Sequence, residues 1–215
     1  MRMIVKRVED FPVTGEGDAP AWAQTAWLPL APVGGSSRYG TRAKVLYSDS
    51  GLYFLVDNED AKLTCSGLKD FENLFAEDVV EVFLWPDEAH PVYFEYEISP
   101  LNAELPILVS NSNGTFYGWL PWHYEGRRRT RHATSARCGE QAPLSAVKGW
   151  VTEFFLPFAL FAGLGNTPPA PGSNWRANIY RIDYDGDQPA QWAWCPDTGG
   201  NFHDYRHFGT FEFAP

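Results

Sequence analysis

Cysteine is scarce in this chain: Cys65, Cys138 and Cys195 are the only three, and no two have CxxC spacing. An odd number without that spacing excludes a disulfide framework and speaks against a zinc site, leaving room for at most one bridge plus one free thiol. Positive charge is short as well. Seventeen Lys and Arg against 27 Asp and Glu give a net charge of −10, which argues against nucleic acid as a partner because a phosphate backbone needs a basic footprint. The one basic cluster, Arg127, Arg128, Arg129, Arg131 and His132, reads as the solvated face of a strand. Long apolar runs are missing: FFLPFALFAGLG at 154–165 is too short to cross a bilayer and contains a proline, so a soluble protein without a membrane partner is expected. The opening MRMIVKRVED has no apolar centre of a secretory signal, and export and cytoplasmic residence both stay open. Catalytic signatures are also lacking, with no H-E-x-x-H, no G-x-S-x-G and no P-loop. His203 and His207 are four apart, but in a loop, where that spacing fixes no common face.

Aromatic residues are what the chain has in number: 9 Trp, 10 Tyr and 15 Phe, which favour strands and can also line binding platforms. Strand-like runs recur at short intervals. TRAKVLYSDSGLYFLVD holds two of them around Asp49, Ser50 and Gly51, a hairpin signature. Others lie at 107–111, 130–137, 146–156, 174–183, 190–195 and 208–213, separated by segments rich in Gly, Pro, Asn and Asp. Only LPFALFAGL at 156–164 suggests a helical turn or two. Short strands without alternating helices predict one all-β domain over residues 1–215, an antiparallel β-sandwich with short helical turns only.

The segment NLFAEDVVEVFLWPDEAHPVYFEYEISP at 73–100 predicts two adjacent strands. Alternation sets Val80, Val82 and Leu84 with Val92, Phe94, Tyr96 and Ile98 on a core face. The opposite face carries Glu81, Glu95 and Glu97 among Phe83, Trp85 and Tyr93, and is expected to be exposed. Carboxylates hydrogen-bond hydroxyls and flat rings cover the C–H faces of sugars, so such a face suits a carbohydrate; the alternative is an ordinary solvated sheet. Trp175, Ala177 and Ile179 alternate as a buried face, with Arg176, Asn178 and Tyr180 opposite, toward hydroxyls or water. Trp192 and Trp194 form either a stacking strip or core, and Trp119 and Trp122 in GWLPWHYEG read as exposed rings in a loop. The acidic groups at 57–60 and 183–187 have enough oxygens for calcium but lack EF-hand spacing, so solvated turns are the expectation and no metal ligand is assigned.

These motifs together resemble carbohydrate-binding module family 9, within the DOMON-like group of immunoglobulin-type sandwiches. The similar pieces are YSDSGLYFLVDNED, LFAEDVVEVFLWPDE, YFEYEISPLNAEL, WRANIYRIDY, WAWCPD and NFHDYRHFGTFEF, running from about Ala21 to Phe213. The long YFEYEISPLN stretch is similar to that of bacterial members. The resemblance implies non-catalytic binding of a mono-, oligo- or polysaccharide end between two rings, and structural calcium in some members. It places the first ring at Phe75, six residues before Glu81, and the second at Phe202 or His203, with Asn201 beside them; both rings are tryptophan in the family. It also suggests that Arg181 pairs with a buried carboxylate such as Asp183 or Glu81. Sugar contacts are thus expected from Phe75, Glu81, Trp119, Trp122, Asn201, Phe202 and His203, with no catalytic residue. The competing reading is a glycoside hydrolase using two of Glu81, Glu95 and Glu97 as acid and base. It would need a deep cleft with a carboxyl buried against apolar groups, whereas a flat face of ionised acids means binding alone. A haem-binding DOMON reading fails, because Met1 and Met3 are the only methionines.

Overall fold

Asp49 and Ser50 turn the chain between two antiparallel strands in the computed structural model, which describes residues 1–35 and 37–215. Ser48 N–H bonds the Gly51 carbonyl across this turn, and a Cβ at position 51 would collide with the Leu156 carbonyl of the neighbouring strand. Only glycine lets the backbones approach that closely. The strands are β1 (Arg2–Arg7), β2 (Leu28–Pro32), β3 (Thr41–Tyr47), β4 (Gly51–Asn58), β5 (Val79–Trp85), β6 (Val92–Ile98) and β7 (Glu104–Ser112). They continue with β8 (Thr115–Pro121), β9 (Arg131–Ala136), β10 (Trp150–Pro157), β11 (Asn174–Asp183), β12 (Ala190–Ala193) and β13 (Gly209–Phe213). The helical elements among the described residues are 3-10 turns, including Phe158–Phe161 inside the expected stretch. The fold is all-β.

The hydrogen-bonded order is β8-β7-β6-β5-β11-β12-β2-β3-β4-β10-β9. The ten-residue β11 organises the middle: Arg176 to Ile182 pair with β5 along one edge, while its other edge is shared by β13 at the start and β12 at the end. Strand β1 runs parallel to both β13 and β3. The main core takes side chains from both arms of this path, with Val45, Phe54 and Phe154 packed with Val82, Tyr96 and Phe211. Tyr96 and Phe154 rings lie 4.8 Å apart, centroid to centroid. Val80, Val82, Leu84, Phe94, Tyr96 and Ile98 are in this core, as alternation predicts. So are Trp175, Trp192 and Trp194, which removes the reading of Trp192 and Trp194 as an exposed strip.

The opposite face of β5, β6 and β11 departs from expectation. Glu81, Glu95, Glu97, Asn178 and Tyr180 are buried rather than solvated. A second apolar cluster lies here, formed by Phe83, Trp85, Tyr93, Leu105, Ile107 and Phe208, with Phe202 and Tyr205 packed against it. The cover comes from residues 199–208, a connection between β12 and β13 that alternation within β5 and β6 cannot reveal. In the basic cluster Arg127, Arg129 and Arg131 are exposed as expected, although Arg127 and Arg128 lie in a 3-10 turn rather than a strand; Arg131 lies over the Phe155 ring, Arg128 over the Trp122 ring, and His132 Nε2 is 3.5 Å from Glu104. All three cysteines are unbridged.

Candidate functional site

Five strands, a 3-10 turn and two connecting segments meet around a pocket of about 410 Å³ lined by Phe75, Glu81, Glu95, Glu97, Ile107, Phe116, Trp119, Ile182, Tyr184, Phe202 and His203. That volume lies within the roughly 300–1,000 Å³ of small-ligand sites, as does the mix of rings with a few convergent polar groups. The floor comes from β5 and β6. Glu81 stands directly opposite Glu97 in the ladder, and Glu95 is two residues from Glu97 on the same face. One carboxyl oxygen from each of the three lies within 4.8 Å of the others. Burial drives all three carboxyls toward the protonated form: Glu81 is pushed up to about 8, and Glu95 and Glu97 well above the usual carboxylate range, with their mutual repulsion adding to it.

The walls are aromatic. Phe75 lies in the 3-10 turn Leu74–Ala76, 39% exposed, with its carbonyl held by the Tyr184 hydroxyl at 2.8 Å. On the other side, Phe202 stacks on Tyr180 at 4.0 Å between centroids, and the Tyr180 hydroxyl donates to the Phe202 carbonyl. His203 lies between Phe83 and Phe116, and its Nδ1 meets the Tyr93 hydroxyl at 2.5 Å. Burial lowers the His203 pKa to about 4, so the ring is neutral at pH 7. A bulge in the β7–β8 ladder between Ser110 and Asn111 aims the remaining rings. Ser110 pairs with Gly118 and Asn111 with Phe116, so Tyr117 is the extra residue, and Gly118 takes a φ of +127°. Plain alternation sends residues 116 and 119 to opposite faces; the inserted residue brings both rings to the pocket.

The expected sugar contacts therefore divide. Phe75, Glu81, Trp119, Phe202 and His203 share the pocket. Asn201 does not line it; its side chain accepts the His203 backbone N–H at 3.0 Å and shapes the turn that presents that ring. Trp122 is not the exposed loop ring expected. It follows β8, packs against the main core, donates its indole N–H to the Leu160 carbonyl, and lines a separate hollow of about 280 Å³ with Leu108 and Phe161. Trp119 lies within β8 rather than in a loop. Sequence reasoning missed Phe116, Tyr184, Ile107 and Ile182, and the one available signal for Phe116 was the glycine at position 118.

The two acidic segments considered for calcium do converge, bringing Asp60, Asp183 and Asp185 together. Arg181 occupies that cluster, at 3.0 Å from Asp60 and 2.6 Å from Asp183, as expected for Asp183 but with Asp60 in place of Glu81 as the second partner. Every carboxyl oxygen there has a protein donor. Asp60 also binds Lys62 N–H and the Trp150 indole, Asp183 the Asp185 N–H, and Asp185 the hydroxyls of Thr64 and Tyr39. A hard cation asks for six to eight oxygens, and these are already committed.

The model of the family described as "Carbohydrate family 9 binding domain-like" matches residues 13–214. A family 9 module from Caldicellulosiruptor kristjanssonii in complex with cellotriose has a similar fold at TM-score 0.69 and 17% identity, covering 100% of this chain and 94% of that one. The glucose complex of a family 9 module from the same organism gives 0.68 and 16%, covering 99% and 95%. A Bacteroides uniformis protein gives 0.78 and 16%, covering 99% and 98%. Comparison with curated proteins finds no match. With the family model spanning nearly the whole chain, this protein belongs to the carbohydrate family 9 binding domain-like family.

Proposed function

We propose that this protein binds carbohydrate without catalysis, as one domain spanning residues 1–215 in a DOMON-like antiparallel β-sandwich. The observation that carries the reading is the pocket itself, in which rings from Phe75, Trp119 and Phe202 surround buried carboxyls. Rings cover the apolar face of a sugar, and carboxyl groups meet its hydroxyls. The family 9 modules of similar fold hold cellotriose and glucose, which supports a sugar of that size here. No bound metal enters this reading, since Arg181 satisfies the acidic cluster.

The hydrolase alternative gains one feature it requires, buried carboxyls, and lacks another. A retaining enzyme needs its two carboxyls pushed in opposite directions, one ionised as nucleophile and one protonated as acid. Here burial pushes Glu81, Glu95 and Glu97 the same way, from one sheet face, with no counter-charge to keep one ionised.

Titration calorimetry with glucose and cello-oligosaccharides tests the binding reading. An aromatic contact contributes about 0.5–1.5 kcal/mol beyond its buried area, so Phe75→Ala should weaken binding from several-fold to about tenfold. Phe75 is partly exposed, so the fold should survive the change. Unchanged affinity in a folded Phe75→Ala variant, or glycoside turnover abolished by Glu81→Gln, contradicts the proposal.

A further inference from the structure

Two buried acidic clusters occur among the described residues, and the chain completes only one of them. Asp60 and Asp183 have Arg181. Glu81, Glu95 and Glu97 have no cation: Glu95 Oε2 and both Glu97 oxygens are buried with no hydrogen-bond partner among the described residues, and all three side chains line the pocket. None of the three residues is more than 3% exposed.

The groups facing them bring no positive charge. Strand β6 adds Tyr93, β11 adds Tyr180, and the segment after β11 adds Tyr184, all uncharged at neutral pH because burial raises each phenol. Strand β7 places Leu105 opposite Glu97 and Ile107 opposite Glu95. The 199–208 connection supplies His203, whose Nδ1 is 3.8 Å from Glu95 Oε2 but whose ring is neutral. An unpaired buried carboxylate is costly, so the empty site keeps these carboxyls protonated, with Glu95 and Glu97 in reach of one another, and a ligand entering through the pocket with donors and a positive charge would let them ionise. A neutral hydroxyl offers one donor and no charge. An ammonium offers three donors and a positive charge, and aromatic faces attract it further. A bare metal ion would use the acids and leave the rings without a role.

Resting on the sugar-pocket reading above, we propose that the site selects a sugar unit bearing a free, protonated primary amine, whose ammonium donates to Glu81, Glu95 and Glu97 while its ring lies against Phe75 and Trp119. The ammonium removes the reason for these carboxyls to stay protonated, so binding releases protons to the buffer. No bond is made or broken.

The test is calorimetry at pH 7 with glucosamine, glucose and N-acetylglucosamine, each in two buffers of different ionisation heat. Glucosamine should bind at least about tenfold more tightly than the other two, since a charge-assisted hydrogen bond exceeds a neutral one by that order. Its heat alone should change with buffer. Glu97→Gln and Glu95→Gln should cost glucosamine more than glucose and so collapse the ratio, whereas Phe75→Ala should weaken all three sugars alike. The glutamine variants are near-isosteric, and either one suffices if the other does not fold. Equal affinity for glucose and glucosamine, or a preference that survives both glutamine variants, overturns amine selection and leaves sugar binding standing. Saturation by none of the three sugars overturns both.

Discussion

Arg181→Met should destabilise the protein by about 3–5 kcal/mol at pH 8, the range for removing one partner of a buried ion pair. The guanidinium is fully buried, donates to Thr41 and the Glu59 carbonyl, binds Asp60 and Asp183, and lies 4.7 Å from the Trp192 ring centroid. Methionine fills the space and leaves both carboxyls in the interior without a counter-charge. Their cost should shrink as pH falls, because protonation removes the uncompensated charge. Burial already lifts Asp60 to about 6 with the arginine in place. Urea melts at pH 8 and pH 5 check this: the loss should be clearly larger at pH 8. A loss below about 1 kcal/mol at both pH values would show that the pair contributes nothing beyond packing.

Raising the pH from 6.5 to 8 should cost the protein stability on the order of 4 kcal/mol. The sign follows from the direction of the shifts. Glu81 and Asp78 are each pushed up to about 8, and Glu95 and Glu97 well above the ordinary range. A carboxyl with a raised folded-state pKa contributes stability that is complete below its unfolded value and is lost as pH climbs through the folded one. Each carboxyl that stays protonated in the fold and ionises on unfolding gives a slope of about 1.4 kcal/mol per pH unit; Glu81 and Asp78, each at about 8, account for a loss of that order over this window, and Glu95 and Glu97 act in the same direction. His203, lowered to about 4, works in the opposite sense but only below about 6.5, outside the window. Denaturant melts across pH 6.5–8 should show the decline, and a Glu95→Gln/Glu97→Gln double variant should make it shallower while leaving the share of Asp78. Stability independent of pH would mean that the acids are ionised and compensated in the fold.

The hairpin of β3 and β4 and the β5–β6 pair are legible in the sequence because each has a local signal: a turn between two apolar runs, or strict alternation. Strands β1, β2 and β8 are not. RMIVKR pairs in parallel with distant strands and has no adjoining turn; LPLAP contains two prolines; and TFYGWLP is interrupted by Gly118, next to the bulge at Tyr117. Alternation sorted Glu81, Glu95 and Glu97 onto one face correctly, but could not tell that residues 199–208 cover it, since that contact joins positions about 100 apart. The same limit applies to Asn178, which binds the Cys195 carbonyl instead of water. For the pocket, alternation pointed to Glu81, the resemblance to family 9 to Phe75, Phe202 and His203, and the segment GWLPWHYEG to Trp119 as an exposed ring. Phe116 depended on a register shift, and Trp122 on which side of β8 its indole finds an acceptor.

Indole N–H nuclear magnetic resonance during a sugar titration tests the central claim most directly, because nine tryptophans report from distinct places and Trp119 alone among them lines the acidic pocket. With glucose and with glucosamine, the Trp119 indole signal should move saturably, while that of Trp122, bonded to the Leu160 carbonyl beside a different hollow, should stay in place. Saturable movement of Trp122 with Trp119 unchanged would place the sugar elsewhere and contradict the assignment of this pocket.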